Sequence, residues 1–271
     1  MSSYMLSLTS SQLDSAIGDI RAGIFSWRLT HFLAWQDVKQ KYRRSTLGPL
    51  WLTLSFGIQI LTMGFLSAFL FTLPIAKSLP YVCSGMLLWS MITQVINDGA
   101  NLFVSTARYL MQIKSPLTVF LFQTVWRNVI IAAHNAVIYV AVAVIFFVVP
   151  GSSILLWPLG AALSLIAISW MALVAAIVSA RFRDVPIMLT NVLNILFWFT
   201  PLMYFPEQLG AKRFIADYNP FTHIVALVRE PLLGGTPTLN DWLVVLAVAV
   251  FGWAGTFLFF ARFRARIVYW L

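Results

Sequence analysis

Three histidines, nine acidic residues and a single cysteine are the side chains of this 271-residue chain capable of acid–base, metal or nucleophilic chemistry. Their spacing offers little. His31, His134 and His223 stand far apart, with no ligand-like spacing to Cys83 or to an acid, so a metal centre is not expected. Cys83 has no second cysteine for an internal disulfide. No glycine-rich loop runs into Lys and Ser or Thr, so no ATP-hydrolysing site of that class is expected. Among the acids, Asp98 and Asp184 are the only plausible pair for catalysis. Asp184, between Arg183 and a helix start at Val185, also reads as the negative charge that a helix N-terminus favours.

Binding chemistry is better represented. In KYRRSTLGPLWLTL (41–54), Lys41, Arg43 and Arg44 crowd three positive charges against the start of an apolar run. Gln59, Asn135, Asn191 and Asn194 are polar but uncharged inside apolar stretches. Asn191 and Asn194, three apart, share one helix face. They serve either as hydrogen bonds between helices or as the wet wall of a pore. The chain also holds 22 Phe, 11 Trp and 8 Tyr. Trp51, Tyr81, Trp89, Trp157, Tyr204 and Trp242 fall at predicted helix ends, where an interfacial belt accounts for them. The run LFWFTPLMYF (196–205), with Phe197, Trp198, Phe199 and Tyr204, is denser than a belt requires. Its rings suit plain packing or, alternatively, the C–H faces of sliding sugar rings.

The elements that position these residues follow from composition. Hydrophobic residues make up 60% of the chain and charged residues 10%, against about a quarter charged in a soluble domain. The fold class is an all-α integral membrane protein, with little chain left for a soluble catalytic domain. Charge-free runs predict six transmembrane helices at 50–73, 81–97, 128–149, 155–180, 185–204 and 242–261. VVPGSS (148–153) breaks the charge-free stretch from Asn128 to Ala180 into two of them. With six spans, Lys and Arg divide fourteen to four in favour of the side carrying both termini, which the positive-inside bias makes cytoplasmic. Lys41, Arg43 and Arg44 then anchor the first helix at the anionic inner leaflet. That placement along membrane faces turns the net charge of +9 away from nucleic acid. The spans hold almost no ionisable group beyond His134, which argues against an ion-coupled pump. The first residues show no short apolar core followed by a small-residue cleavage site, so no signal peptide is expected.

Three further segments have character of their own. Over 11–27, Leu13, Ile17, Ile20, Ile24 and Trp27 recur at steps of four and three, predicting an amphipathic helix in the membrane interface. Asp14, Asp19 and Arg21 lie off that stripe, and Ser11 with Asp14 resembles a capping box. A helix docked on a partner subunit is compatible with the same pattern. Residues 101–116 are apolar but interrupted by Arg108, Lys114 and Pro116, and Pro116 disfavours helix at Ser115, predicting two pieces with a bend. Residues 206–240 carry more apolar side chains than a solvated loop needs, among them Phe214, Phe221, Ile224, Leu227 and Leu232. A re-entrant pair of short helices would bury them.

Several stretches together resemble the permease subunits of ABC-2-type polysaccharide exporters. The first is Tyr42 and Arg43 followed by Leu47, Gly48, Pro49, Leu50 and Trp51 before the first span. The second is the Arg181, Phe182, Arg183, Asp184 turn, and the third is Thr200, Pro201 and Tyr204. The fourth is Asn219 and Pro220 with Arg229, Leu232 and Leu233 beyond them. In one respect the chain departs from the pattern, with Lys114, Ser115 and Pro116 where the family often has Lys and an aromatic–Pro pair.

The resemblance implies a homodimer joined to two copies of an ABC ATP-binding subunit, which would bind ATP and Mg, so this chain itself is no enzyme and carries no cofactor. It implies export across the bacterial inner membrane of undecaprenyl-diphosphate-linked glycan, O-antigen foremost, with capsule, teichoic acid or a small lipid or drug as alternative cargo. On this reading Lys41, Arg43 and Arg44 meet the lipid headgroup. Arg108, Tyr109, Lys114 and Pro116 belong to the ATPase-coupling surface. Trp51, Asn191, Asn194, Phe197, Trp198, Phe199 and Tyr204 line the channel, and Asn219, Pro220 and Arg229 belong to the gate. From a different class, a membrane enzyme acting on a polyprenyl lipid would need Asp98 and Asp184 to converge.

Overall fold

Apolar chain in a medium without water must satisfy its backbone internally, and helices do this segment by segment. The computed structural model describes residues 9–42, 50–112 and 115–271, and among these it is helical with no strand. The helices are α1 Ser10–Phe25, α2 Trp27–Tyr42, α3 Leu50–Leu70, α4 Ile75–Ser105, α5 Ala107–Gln112, α6 Leu117–Ile145 and α7 Trp157–Arg181. They continue as α8 Val185–Phe199, α9 Phe214–Asp217, α10 Pro220–Leu232 and α11 Leu239–Trp270, with 3-10 turns at Ser152–Leu156 and Pro206–Lys212. Among the described residues, five helices are long and apolar enough to cross a membrane: α3, α4, α6, α7 with its leading turn, and α11.

Paired, half-buried charges mark where helix ends differ from a hydropathy reading. α4 runs from Ile75 to Ser105 and α6 starts at Leu117, beyond the expected 81–97 and 128–149. The added turns carry Asp98 and Arg127, which pair with each other at 2.9 Å. α8, in contrast, is short. Its 15 residues rise about 22 Å at 1.5 Å per residue, against about 30 Å of hydrocarbon. It stops at Phe199 because Pro201 pushes Thr200 into extended backbone, with φ −92° and ψ 130°.

α4 and α7 form the centre of the bundle, with α3, α6, α8 and α10 packed on α4 and α10 and α11 on α7. Small residues let the two central helices approach closely. Gly99 of α4 sits so near Ala172 of α7 that an added Cβ would lie 2.6 Å from the Ala172 Cβ. Ser164, Ala167, Ala172 and Ala176 continue the buried small-residue face of α7.

The N-terminal helices lie along the outside of this core, α1 on α6 and α11, α2 on α6. The N-cap of α1 is Thr9 rather than Ser11, with Gln12 Oε1 accepting the Thr9 amide at 3.2 Å. Its inward face is Ala16, Asp19 and Gly23, whereas Ile17 and Ile24 of the apolar stripe, with Trp27, face outward. Cations accompany the outward aromatics: Arg21 over Phe25, Arg28 over Trp27 and Lys39 over Trp35. In the 206–240 stretch, Phe221, Ile224, Leu227 and Leu232 are buried on α10, which packs on α4, α7 and α11, while Phe214 stays exposed.

Candidate functional site

Only Leu193 of α8 is buried. Asn191 and Asn194 are exposed beside Ile187, Met188, Ile195, Trp198 and Phe199, so the outward face of α8 mixes amides with aromatic and aliphatic side chains. Phe197 turns inward, edge-on to Trp89 with ring centres 6.1 Å apart. α8 lies against α4, where Ser90, Gln94, Asn97 and Asn101 recur at steps of four, three and four and so form one polar line. Thr190 Oγ1 joins the two helices by donating to Asn97 Oδ1 at 3.0 Å. Trp51, at the start of α3, is also exposed, on a helix whose outward side shows Ile58, Phe65 and Phe69.

Beyond the end of α8, two of the sequence motifs interlock. Asn219, the N-cap of α10 with Pro220 at the first helical position, accepts the Phe221 amide and donates Nδ2 to Thr200 Oγ1 at 3.0 Å. Arg229, buried at 3% exposure, donates Nη1 to the Pro201 carbonyl at 2.7 Å and lies over the Tyr81 ring. The Tyr81 hydroxyl donates toward the carbonyls of Pro201 and Tyr204, at 3.1 and 3.2 Å, and its ring stacks on Phe205. Ser67 Oγ donates to the Met203 carbonyl. Each polar group of the non-helical 200–204 stretch named here is thus held by another helix, as backbone outside a helix requires at membrane depth. Tyr204 is half-buried.

Beside this knot lies a cavity of about 400 Å³ lined by Tyr81, Glu207, Arg213, His223, Arg229 and Glu230, among others. His223 meets Asp241 Oδ1 at 2.6 Å through Nδ1 and the Asp217 carbonyl at 2.8 Å through Nε2. Two acceptors facing two ring nitrogens suit the doubly protonated ring. The hydrogen bond to Asp241 raises the His223 pKa, with burial pulling the other way.

A second polar centre joins α2, α4 and α6. Arg127 bridges Asp37 and Asp98 at 2.9 Å each, Gln123 donates to Asp37 at 2.8 Å, and Asn128 donates to Asp98 at 2.9 Å. An adjoining cavity of about 570 Å³ reaches Tyr109, which is exposed on α5 next to exposed Arg108. Pro116 forms the N-cap of α6. Just inside it, the buried Asp19 carboxylate accepts the Leu117 and Thr118 amides and pairs with Arg264 of α11 at 2.8 Å.

Other expected residues are placed as follows. Asp98 is committed to Arg127 and Asn128, while Asp184 stands exposed at the N-cap of α8 with no side-chain hydrogen bond to the helix, so the structure does not bring them together. The histidines have separate structural partners, Trp126 for His31, the Ile130 carbonyl for His134 and Asp241 for His223. The Arg181–Asp184 turn meets the end of α11, with Arg181 over Trp270 and Arg183 donating to the Trp270 carbonyl at 3.4 Å. Lys41 belongs to the last turn of α2, whereas Arg43, Arg44 and Lys114 lie outside the described residues. Sequence reasoning missed Tyr81, Asp241, Asp37, Arg127, Asp19 and Arg264. For Tyr81 the available signal was a ring just inside Pro80; for the rest, the partners are remote in sequence.

Comparison with known proteins gives a consistent family likeness. Residues 28–233 match the family model described as ABC-2 type transporter. The chain is 22% identical over 242 residues to the O-antigen export system permease protein RfbA of Myxococcus xanthus, covering 85% of this chain and 90% of that protein. It is also 22% identical over 209 residues to the O-antigen export system permease protein RfbA of Klebsiella pneumoniae, covering 74% of this chain and 78% of the relative.

Proposed function

The chain belongs to the ABC-2 type transporter family, and from that premise we propose that it is the permease subunit of an ATP-driven exporter of polyprenyl-diphosphate-linked polysaccharide, O-antigen foremost. Two copies would face each other in the bacterial inner membrane, each joined to an ATP-binding subunit that holds ATP and Mg. Six crossings, with α8 and the 200–205 stretch as the fifth and both termini cytoplasmic, complete the topology. Residues 206–240 form the outer gate, and Lys41, Arg43 and Arg44 meet the diphosphate, which guanidinium groups can bind in bidentate fashion.

The observation that carries the reading is the outward face of α8 beside the polar line of α4. Asn191 and Asn194 are exposed there, on the helix face that also shows Trp198 and Phe199, and Thr190 of the same helix bonds to Asn97 of the polar line. Polar groups on such a surface are costly against lipid and suit water or a second protein surface. A second copy of the same face would enclose a path lined by amides and aromatic rings. That lining matches a hydroxyl-rich polymer, whose C–H faces pack on rings while its hydroxyls bond to amides and water.

The test is to locate lipid-linked glycan in cells lacking the protein. Accumulation on the cytoplasmic side with loss from the surface is expected. Normal surface glycan without a trapped intermediate, in cells shown to have no second exporter, would overturn the reading.

A further inference from the structure

Asp19 is 3% exposed, and a carboxylate at that depth is tolerated only when its charge and lone pairs are matched. All of its partners lie on other helices. Oδ2 accepts the Leu117 amide at 3.1 Å, and Oδ1 accepts both the Thr118 amide at 3.0 Å and the Thr118 hydroxyl at 2.8 Å. Leu117 and Thr118 open α6; their amides have no partner within the helix, and Pro116 at the cap has no side-chain group to accept them, its carbonyl taking the Val119 amide instead. α6 is therefore capped by a side chain 98 residues away. From the far end of the chain, Arg264 of α11 adds its Nε and Nη2, each 2.8 Å from Oδ2.

The joint is also narrow. One turn beyond Asp19, Gly23 lies so close to α6 that a Cβ there would collide with the Thr118 hydroxyl. A cavity of about 590 Å³ opens directly beside it, lined by Gly18, Asp19, Ser115, Pro116 and Arg264, among others. So one carboxylate joins a surface helix, the start of α6 just past Pro116, and the end of α11. The cavity leaves the three elements room to shift relative to the surroundings.

We infer that Asp19 is a positioning residue for energy coupling: it makes α1, the first turn of α6 and the last turns of α11 move together when an ATP-binding subunit pushes on the segment around α5 and Pro116. The inference rests on the transporter reading above. Coupling passes through charge and direction at Asp19, beyond the mere presence of a buried contact.

Asp19→Asn keeps an amide oxygen for α6 but loses the charge that holds Arg264, and Arg264→Gln loosens the same tie while leaving the cap of α6 intact. Both are measured in the complex purified with its ATP-binding subunit, by yield, ATP hydrolysis and polymer exported per ATP consumed. Expected are near-normal hydrolysis and an export-to-hydrolysis ratio lowered about tenfold, within the range of coupling between distant sites, with Arg264→Lys recovering part of it. If Asp19→Asn does not accumulate, Arg264→Gln carries the test. An unchanged ratio, or hydrolysis and export falling in equal proportion, would overturn the coupling role and leave Asp19 a structural staple. A wild-type complex that hydrolyses ATP but moves no polymer would instead overturn the transporter reading, and the inference with it.

Discussion

The Arg229 guanidinium lies 4.1 Å above the centre of the Tyr81 ring while its Nη1 donates to the Pro201 carbonyl. A desolvated cation over an aromatic ring contributes about 2 kcal/mol, and a hydrogen bond from a charged donor adds about 1.5–3 kcal/mol. Arg229→Ala is therefore expected to destabilise the protein by about 3 kcal/mol, allowing for partial relaxation. Arg229→Lys keeps a cation near the ring but loses the planar fork, and should fall between. Thermal unfolding in detergent should rank wild type above Arg229→Lys above Arg229→Ala. Equal transition temperatures would mean that the contact does not hold the 200–204 stretch.

Where α4 crosses α7, a methyl group on Gly99 must displace Ala172, since it would also lie 2.9 Å from the Ala172 carbonyl oxygen. Gly99→Ala should cost about 1–3 kcal/mol as an overpacked contact. Gly99→Leu should not accumulate in membranes. Adding Ala172→Gly to Gly99→Ala should restore part of the loss, read as membrane yield and transition temperature.

His223 binds its proton more tightly in the folded protein, chiefly through the hydrogen bond to Asp241. A raised folded pKa contributes stability that is fully present below the ordinary value of 6.5. That stability is lost as pH rises through the folded value. Wild-type stability is thus expected to decline as pH rises above the ordinary value of 6.5, and Asp241→Asn should flatten the decline. A parallel decline in both proteins would assign the slope to another group.

Cys83 is buried, so a thiol introduced on the surface of α8 is the one that reagents meet. Asn194→Cys should react readily in membranes with a hydrophilic maleimide, because its position is exposed on the proposed wet face. Leu193→Cys, at the buried position of the same helix, should resist. Equal resistance at both positions would place the exposed face of α8 against lipid.

Asp98 has a structural role in the ion-pair centre, paired with Arg127 and Asn128 and not with Asp184. Replacing both by Asn is therefore expected to lower export partially, in step with assembled complex. Complete loss with normal assembly would point back to an enzyme.

Local features were legible in the sequence because local physics produces them. The charge-free runs predict helices, but hydropathy alone passes over the prolines that bound two of them: the expected spans run to 204 and begin at 128, whereas α8 stops at Phe199 before Pro201 and α6 starts at Leu117 after Pro116. The Thr200, Pro201, Asn219 and Arg229 motifs are visible as separate stretches, but only the fold shows that they bond to one another. What stayed hidden is pairing over distance. Asp19 reads as a residue on the polar side of an amphipathic helix, yet its partners are 98 and 245 residues away. Asp98 and Arg127 read as boundary charges, so hydropathy trims the helices short of them, although they pair across α4 and α6 in a half-buried centre that Asp37 completes. The apolar stripe of α1 divides in the fold: Leu13 and Ile20 pack against the core, Ile17 and Ile24 are exposed, and the residues it buries, Ala16, Asp19 and Gly23, lie off the stripe.

The length of α4 has a mechanical consequence. Thirty-one residues make a rod of about 46 Å, some 16 Å longer than the hydrocarbon layer it crosses. It is clamped against α7 at Gly99, near its C-terminal end, where the Asp98 pairing and the start of α5 also lie. A stiff rod of that length behaves as a lever. Tilting it by about 5° about one end carries the other about 4 Å, a stroke large enough to open or close a gap the width of a side chain.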